Sequence, residues 1–481
     1  MLVLGIGEGW GLTLANPYYW GRLAWSLAYG LGSSLLVIAL ALPLAYAFRY
    51  RFPGRDLLLS LATVPFVLPT IVVALGFLAL VGPRGVLGVN LYGTPWILFW
   101  ASAFYNLGLV LRMLVALLGA LESPLAAART LGASPLRAYF RVGVPLLVPA
   151  LLAGGGLTFL YSFTSFGLPL ILGGPRYATL EVEVYGLLAY HLAFPEATAL
   201  ILLQLAVSAL VTLLYLNAQR RFSLSLSAAP QPKPLSPASA WRLAFGVWLF
   251  FLAMYAPLLA LLARALSTPE ALASAWTSED FTPAWLAIWN TLRFAGLSLL
   301  VVLPVGFLYA YAVWRGARGL DLVGLLPLLV SPVAVGLGYL LAYPSLGGSL
   351  VILIGAYALL SYPLLARALL PSFRALPGTV LEAARVLGAS PWRRLWRVEW
   401  PLLRPAFLSG TALALAAVVG EFGATLVLRR PEWATLSVAI YERLGRAGAG
   451  PFAEALGLAG LLALLAGGLF LLLDRGRRGL G

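Results

Sequence analysis

Hydropathy along the chain alternates between long apolar stretches and short polar loops. Eleven stretches are long enough to cross about 30 Å of hydrocarbon as helices rising about 1.5 Å per residue. They cover residues 25–48, 57–81, 96–118, 145–166, 197–216, 243–263, 289–313, 322–343, 350–370, 401–425 and 455–473. Within each, apolar residues run continuously instead of alternating, which excludes barrel strands and leaves helices, which satisfy their own backbone in lipid. The pattern predicts an all-α polytopic membrane protein.

The pattern also repeats. Residues 126–150, AAARTLGASPLRAYFRVGVPLLVPA, return at 382–406 as EAARVLGASPWRRLWRVEWPLLRPA, an offset of 256 positions. The same register pairs Phe166 and Gly167 with Phe422 and Gly423, Pro175 with Pro431, Ala178-Thr179-Leu180 with Ala434-Thr435-Leu436, and Tyr185 with Tyr441. Both copies fall on the same predicted side of the membrane, so this is a parallel duplication and not an inverted one. One half spans 1–221 with five predicted helices, the other 241–481 with six, leaving the first half one helix short. Residues 222–240, rich in Ser, Pro and Ala, read as an extended tether.

Composition sharpens the picture. Of 481 residues, 61% are hydrophobic and 10% charged, against about a quarter charged in soluble domains. The net charge of +15 would suggest nucleic acid in a soluble protein. Here the bases sit in loops between spans, which sets that partner aside. Arg49, Arg51 and Arg55, then Arg129, Arg137 and Arg141, then Arg220, Arg221, Lys233 and Arg242 share one side. So do Arg315 and Arg318, the bases from Arg374 to Arg404, and Arg475, Arg477 and Arg478. The positive-inside rule makes that side cytoplasmic and places the C-terminus inside. The first twenty residues contain Glu8 and no base, unlike a signal peptide. With no cysteine and one histidine, thiolate chemistry is excluded and imidazole metal sites nearly so.

The repeated loops, 121–143 and 376–400, carry the most specific signal. In the second, Pro377 and Thr379 open a helix with Val380, Leu381, Ala384 and Leu387 on one predicted face. Gly388 closes it in the left-handed conformation, and Ser390-Pro391 starts another helix as N-cap and first position. Gly132 and Ser134-Pro135 do the same in the first copy. The bland alternative is an amphipathic helix lying on lipid headgroups. Such a helix needs only a periodic pattern, whereas both copies keep Leu-Gly-Ala-Ser-Pro while the flanking aromatics change. That argues for a required shape, an elbow whose small residues let another protein approach.

On these residues the chain resembles the integral-membrane permeases of binding-protein-dependent ABC importers, of the type I architecture. Their loop motif, Glu-Ala-Ala followed by Gly, is matched by Glu382, Ala383, Ala384 and Gly388, and by Ala127, Ala128 and Gly132. Ala126 stands where the motif has its acid. The resemblance implies that these residues, with Ala133, Ser134, Ala389 and Ser390, couple to ATPase subunits, one elbow to each of two copies. It also implies a periplasmic or extracellular binding protein and a path enclosed by the two halves. Fused permeases for thiamine and for ferric iron are the most similar group. Gly173-Gly174-Pro175, Ala178 to Val182 and Tyr185 resemble the outer segment of the thiamine permeases, and Gly420 to Gly423 occurs in both kinds.

No Gly-x-x-x-x-Gly-Lys-Ser/Thr loop occurs, so ATP must be hydrolysed on a separate subunit. No catalytic site, bound cofactor or metal site is expected. His191 alone reads as a surface residue. Glu421, inside a predicted span, either attracts a cationic substrate or pairs with Arg429 or Arg430. Tyr161, Phe163 and Phe166 could add aromatic faces to such a path. Arg112, Arg293 and Arg404 lie near span ends, where snorkelling accounts for them. An ion-coupled secondary transporter is the rival class, but its coupling ion calls for more midplane carboxylates than Glu421. A membrane scaffold would use the elbows without a path.

Overall fold

The computed structural model describes residues 9–117, 121–221, 232–317, 319, 320, 324, 327 and 330–478. Regular structure among them is helical, apart from one isolated backbone bridge between Tyr50 and Lys233. Before the tether run α1 (Pro17–Phe48), α2 (Thr70–Val81), α3 (Pro95–Leu117), α4 (Glu122–Thr130), α5 (Val144–Phe163), α6 (Gly167–Leu172), α7 (Leu180–Ala189) and α8 (Phe194–Arg221). After it run α9 (Pro237–Ser267), α10 (Ala284–Trp314), α11 (Pro332–Ala342), α12 (Leu350–Arg374), α13 (Gly378–Val386), α14 (Trp400–Val419), α15 (Gly423–Leu428), α16 (Leu436–Leu444) and α17 (Ala449–Arg478). The duplication seen in the sequence is a duplication of structure. α4 and α13, α5 and α14, α6 and α15, and α7 and α16 each begin 256 residues apart.

Nine of the described helices are long and apolar enough to cross a membrane. The predicted stretch 57–81 is not straight. Its arms, Arg55–Val67 and Thr70–Val81, meet at 104°, and counted as one bent span they make a tenth. Pro69 is the cause: it cannot donate to the preceding turn, and it pushes Leu68 out of the helical region. The predicted stretch 322–343 lies partly outside the described residues, and α11, 11 residues long, is its described part. An expected total of eleven fits this arrangement. Of the tether, 222–231 lie outside the described residues, and its last four positions, 237–240, are not extended but form the first turn of α9.

The chain forms two compact units, one from residues up to 66 and 73–262, the other from 67–72 and 263 onward. In the first, α1, α3 and α5 pack on one another through small and polar residues. Ser34 Oγ donates to the Gly155 carbonyl at 2.8 Å, and the Ser102 and Ser162 hydroxyls are 2.8 Å apart. In lipid no hydrophobic drive brings helices together, so close backbone approach and such hydrogen bonds do that work. In the second unit α10, α12 and α14 enclose Val302, Leu365, Leu369, Phe373 and Leu403.

The first unit also takes α9 as far as residue 262. Tyr255 donates to the Leu61 carbonyl at 2.6 Å and sets its ring 5.7 Å from that of Phe104, while Trp248 Nε1 donates to Pro53 O at 3.3 Å. The boundary of the repeat, at 240, and the boundary of packing, at 262, are therefore different places on the chain.

Candidate functional site

The two elbows have the same backbone chemistry, bond for bond. In the first, the N–H of Gly132 donates to Arg129 O at 3.0 Å and that of Ala133 to Ala128 O at 3.1 Å. In the second, Gly388 donates to Arg385 O at 2.9 Å and Ala389 to Ala384 O at 3.0 Å. This pair of bonds is the Schellman closure of a helix, and it needs a left-handed residue at the turn. Gly132 has φ +86° and Gly388 φ +74°. Ser134 and Ser390 then accept the N–H of Arg137 and Arg393 at 3.4 and 3.3 Å, capping the short helices Pro135–Ala138 and Pro391–Arg394. A π-helical turn follows in each copy, Tyr139–Gly143 and Leu395–Glu399, and leads into α5 and α14. Nothing in the sequence pattern foretold these π turns, which occur at the same register in both halves.

This geometry divides the motif residues by task. Ala128, Gly132, Ala133 and Ser134, with Ala384, Gly388, Ala389 and Ser390, build the turn itself. Ala127, Glu382 and Ala383 face outward, and Glu382 forms no ion pair among the described residues. Three apolar side chains of the elbows are among the most exposed hydrophobics of the chain's described residues: Leu131 at 88%, Val386 at 87% and Leu387 at 85%. Leu387 thus corrects the helical face read from spacing. α13 ends at Val386, so Leu387 is its C-cap with ψ 10° and turns away from the face where Ala384 is buried. The signal was present, since Leu is the first residue of the repeated Leu-Gly-Ala-Ser-Pro string. A leucine held open between Arg129 and Gly132, or Arg385 and Gly388, suits a protein cleft better than a headgroup layer.

The elbows differ in what braces them. In the second, Arg394 Nε lies 2.7 Å from Glu399 Oε1, and Glu399 is 1% exposed. The first has Ala138 and Gly143 at those registers. There Glu122, at the start of α4, faces Arg49 and Lys233 instead.

The residues expected near a substrate path separate into two kinds. Phe163 is fully buried with its ring 5.3 Å from that of Phe159, and Phe166 is buried edge-on to Tyr185 at 5.2 Å. Tyr161 is half-buried and stands 5.5 Å from Phe66, whose ring is also 5.6 Å from Tyr105. Phe66 lies at the end of the first arm of the bent span, a position that hydropathy alone did not mark. Glu421 does not pair with Arg429 or Arg430. Its Oε1 accepts the N–H of Ala424 at 2.9 Å, closing the first turn of α15. Arg429 lies 2.6 Å from Glu442, and Arg430 lies 3.9 Å from Glu432. Backbone amides three residues away reach the carboxylate before either guanidinium does. His191 is exposed.

The profile of the binding-protein-dependent transport system inner membrane component family matches residues 37–224 and again 302–479. The chain belongs to that family. The permease is therefore a multi-pass inner-membrane transport component and not an enzyme, and its partners are an ATPase and a substrate-binding protein. Curated relatives match nearly end to end. The thiamine transport system permease protein of Brucella abortus strain 2308 is 28% identical, over 98% of this permease and 91% of the relative. That of Haemophilus influenzae is also 28% identical, with the same coverage. That of Escherichia coli K12 is 28% identical over 91% of this permease and 86% of its own length.

Proposed function

We propose that this permease is the membrane subunit of an ATP-driven thiamine importer, with two ATPase copies that each engage one elbow. The observation that carries the reading is end-to-end similarity to thiamine permeases in a chain that repeats the elbow twice. The basic loops support a cytoplasmic placement of the elbows and the C-terminus. ATPase closure then moves the exposed Leu131 and Leu387 knobs, and rigid-body motion of the attached helices opens the path. The second elbow, with Glu382, couples more strongly than the first, where Ala126 has no charge to offer.

Thiamine carries a fixed positive charge and two aromatic rings. Tyr161, Phe66 and Tyr105 offer π-faces, each supplying about 0.5–2 kcal/mol to a desolvated cation. Glu421, in the other unit, is held by the start of α15. Phe163 and Phe166 enter this path only in a conformation that uncovers them. Uptake of labelled thiamine and of ferric iron, compared in cells with and without this chain, tests the substrate. Loss of thiamine uptake with unchanged iron uptake is expected. The reverse result would remove thiamine and keep the importer.

A further inference from the structure

The tether between the repeats is stitched to the first elbow at one residue. Lys233 forms a parallel backbone bridge with Tyr50: its N–H donates to Arg49 O at 2.8 Å, and its carbonyl accepts the N–H of Arg51 at 2.8 Å. Pro232 and Pro234 flank it and have no N–H, so Lys233 is the donor this part of the tether can offer. Its Nζ lies 2.5 Å from Glu122 Oε2, while Arg49 Nη2 lies 3.5 Å from the other carboxylate oxygen. Glu122 opens α4, where a negative charge also suits the helix N-terminus. The buried Arg49 guanidinium sits 5.7 Å over the Tyr46 ring and 6.0 Å over that of Tyr139, the first residue of the π turn.

Three segments far apart in sequence therefore meet at Glu122: the end of α1, the elbow and the tether. Among the described residues the second elbow has nothing equivalent. Gly378 takes the register of Glu122, and the bracing there is internal, through Arg394 and Glu399. The single lysine of this Arg-rich chain falls at the point where the first elbow lacks an internal pair. A flexible ammonium suits that position, since it reaches the carboxylate from a tether whose backbone is already held.

We infer that Lys233 is a positioning residue of the first elbow: the tether straps α4 through Glu122, in place of the Arg–Glu pair that braces the second elbow. The strap itself is independent of what the elbow docks. Its importance for transport rests on the coupling reading proposed above.

The test uses the full-length permease assembled with its ATPase in lipid nanodiscs. Hydrogen exchange is followed at 122–131 and at 378–387 in the wild type, Lys233→Met, Lys233→Arg and Glu122→Gln. Lys233→Met removes the charge at similar length, and exchange at 122–131 should rise about two- to fivefold. The 378–387 segment should not change, Lys233→Arg should restore slow exchange, and Glu122→Gln combined with Lys233→Met should be no worse than either alone. Unchanged exchange at 122–131, or equal loosening of both elbows, would overturn the strap. ATP hydrolysis measured on the same samples separates the two ideas. Faster exchange at 122–131 with fully substrate-dependent hydrolysis would keep the strap and remove the first elbow from coupling.

Discussion

Replacing Gly388 by alanine isolates the backbone requirement of the elbow from any steric one. A Cβ at position 388 meets nothing within 4 Å, and the same holds at Gly132, so the substitution adds no clash. What it adds is the cost of holding an L-residue at φ +74°, about 1–2 kcal/mol. That cost falls on two hydrogen bonds, from Gly388 to Arg385 and from Ala389 to Ala384, which close the helix carrying Leu387. A penalty of this size lowers the population of the closed elbow about 5- to 30-fold relative to its frayed form. The helices buried in the second unit are not involved, so expression and insertion should stay normal. In a reconstituted complex with ATPase and loaded binding protein, the substrate-stimulated part of ATP hydrolysis should drop by a comparable factor. Gly388→Asn should recover much of it, because asparagine tolerates the left-handed region. Gly132→Ala, at φ +86°, should act in the same direction. Wild-type stimulation in both alanine variants, or an asparagine variant no better than alanine, would refute the argument from backbone conformation.

Leu387→Asp should abolish ATPase pull-down while leaving membrane insertion intact, since the side chain is 85% exposed and supports nothing inside the permease. Arg394→Ala strands the buried Glu399 carboxylate and should destabilise by about 3–5 kcal/mol in detergent melts. Arg394→Ala with Glu399→Gly reproduces the first elbow's Ala138 and Gly143 and should recover part of that loss. Ser236→Cys gives this cysteine-free chain one exposed thiol in the tether, and an impermeant maleimide should label it only after the cells are opened. Labelling in intact cells would reverse the orientation.

Much of this was legible in the sequence, for physical reasons. A span must be long and continuously apolar, and a duplication leaves the same residues at one offset, so helices and halves could be read directly. The turn at Gly388 was legible too, because a Schellman closure followed by a serine cap has few sequence solutions. Leu387 escapes helical periodicity because the short helix ends one residue before it. The break at Pro69 was hidden inside an apolar run whose hydropathy does not register direction. Two guanidiniums lie close to Glu421 in sequence, but a helix start supplies donors at shorter range. The bridge of Lys233 to Tyr50 joins positions far apart in sequence, which no local pattern encodes.

The mismatch between the repeat boundary at 240 and the packing boundary at 262 bears on how the chain is made. The first unit cannot finish until α9 has left the ribosome, because residues up to 262 are built into it. Conversely, the bend at 67–72 belongs to the unit that starts at 263. At bacterial synthesis speeds of about 5–20 residues per second, that bend waits roughly ten seconds or more for its partners. During that interval an unpaired, proline-broken segment sits in the membrane. The two units therefore mature together, late in translation, and a chain stopped at the tether yields an unfinished first unit, not a free-standing half.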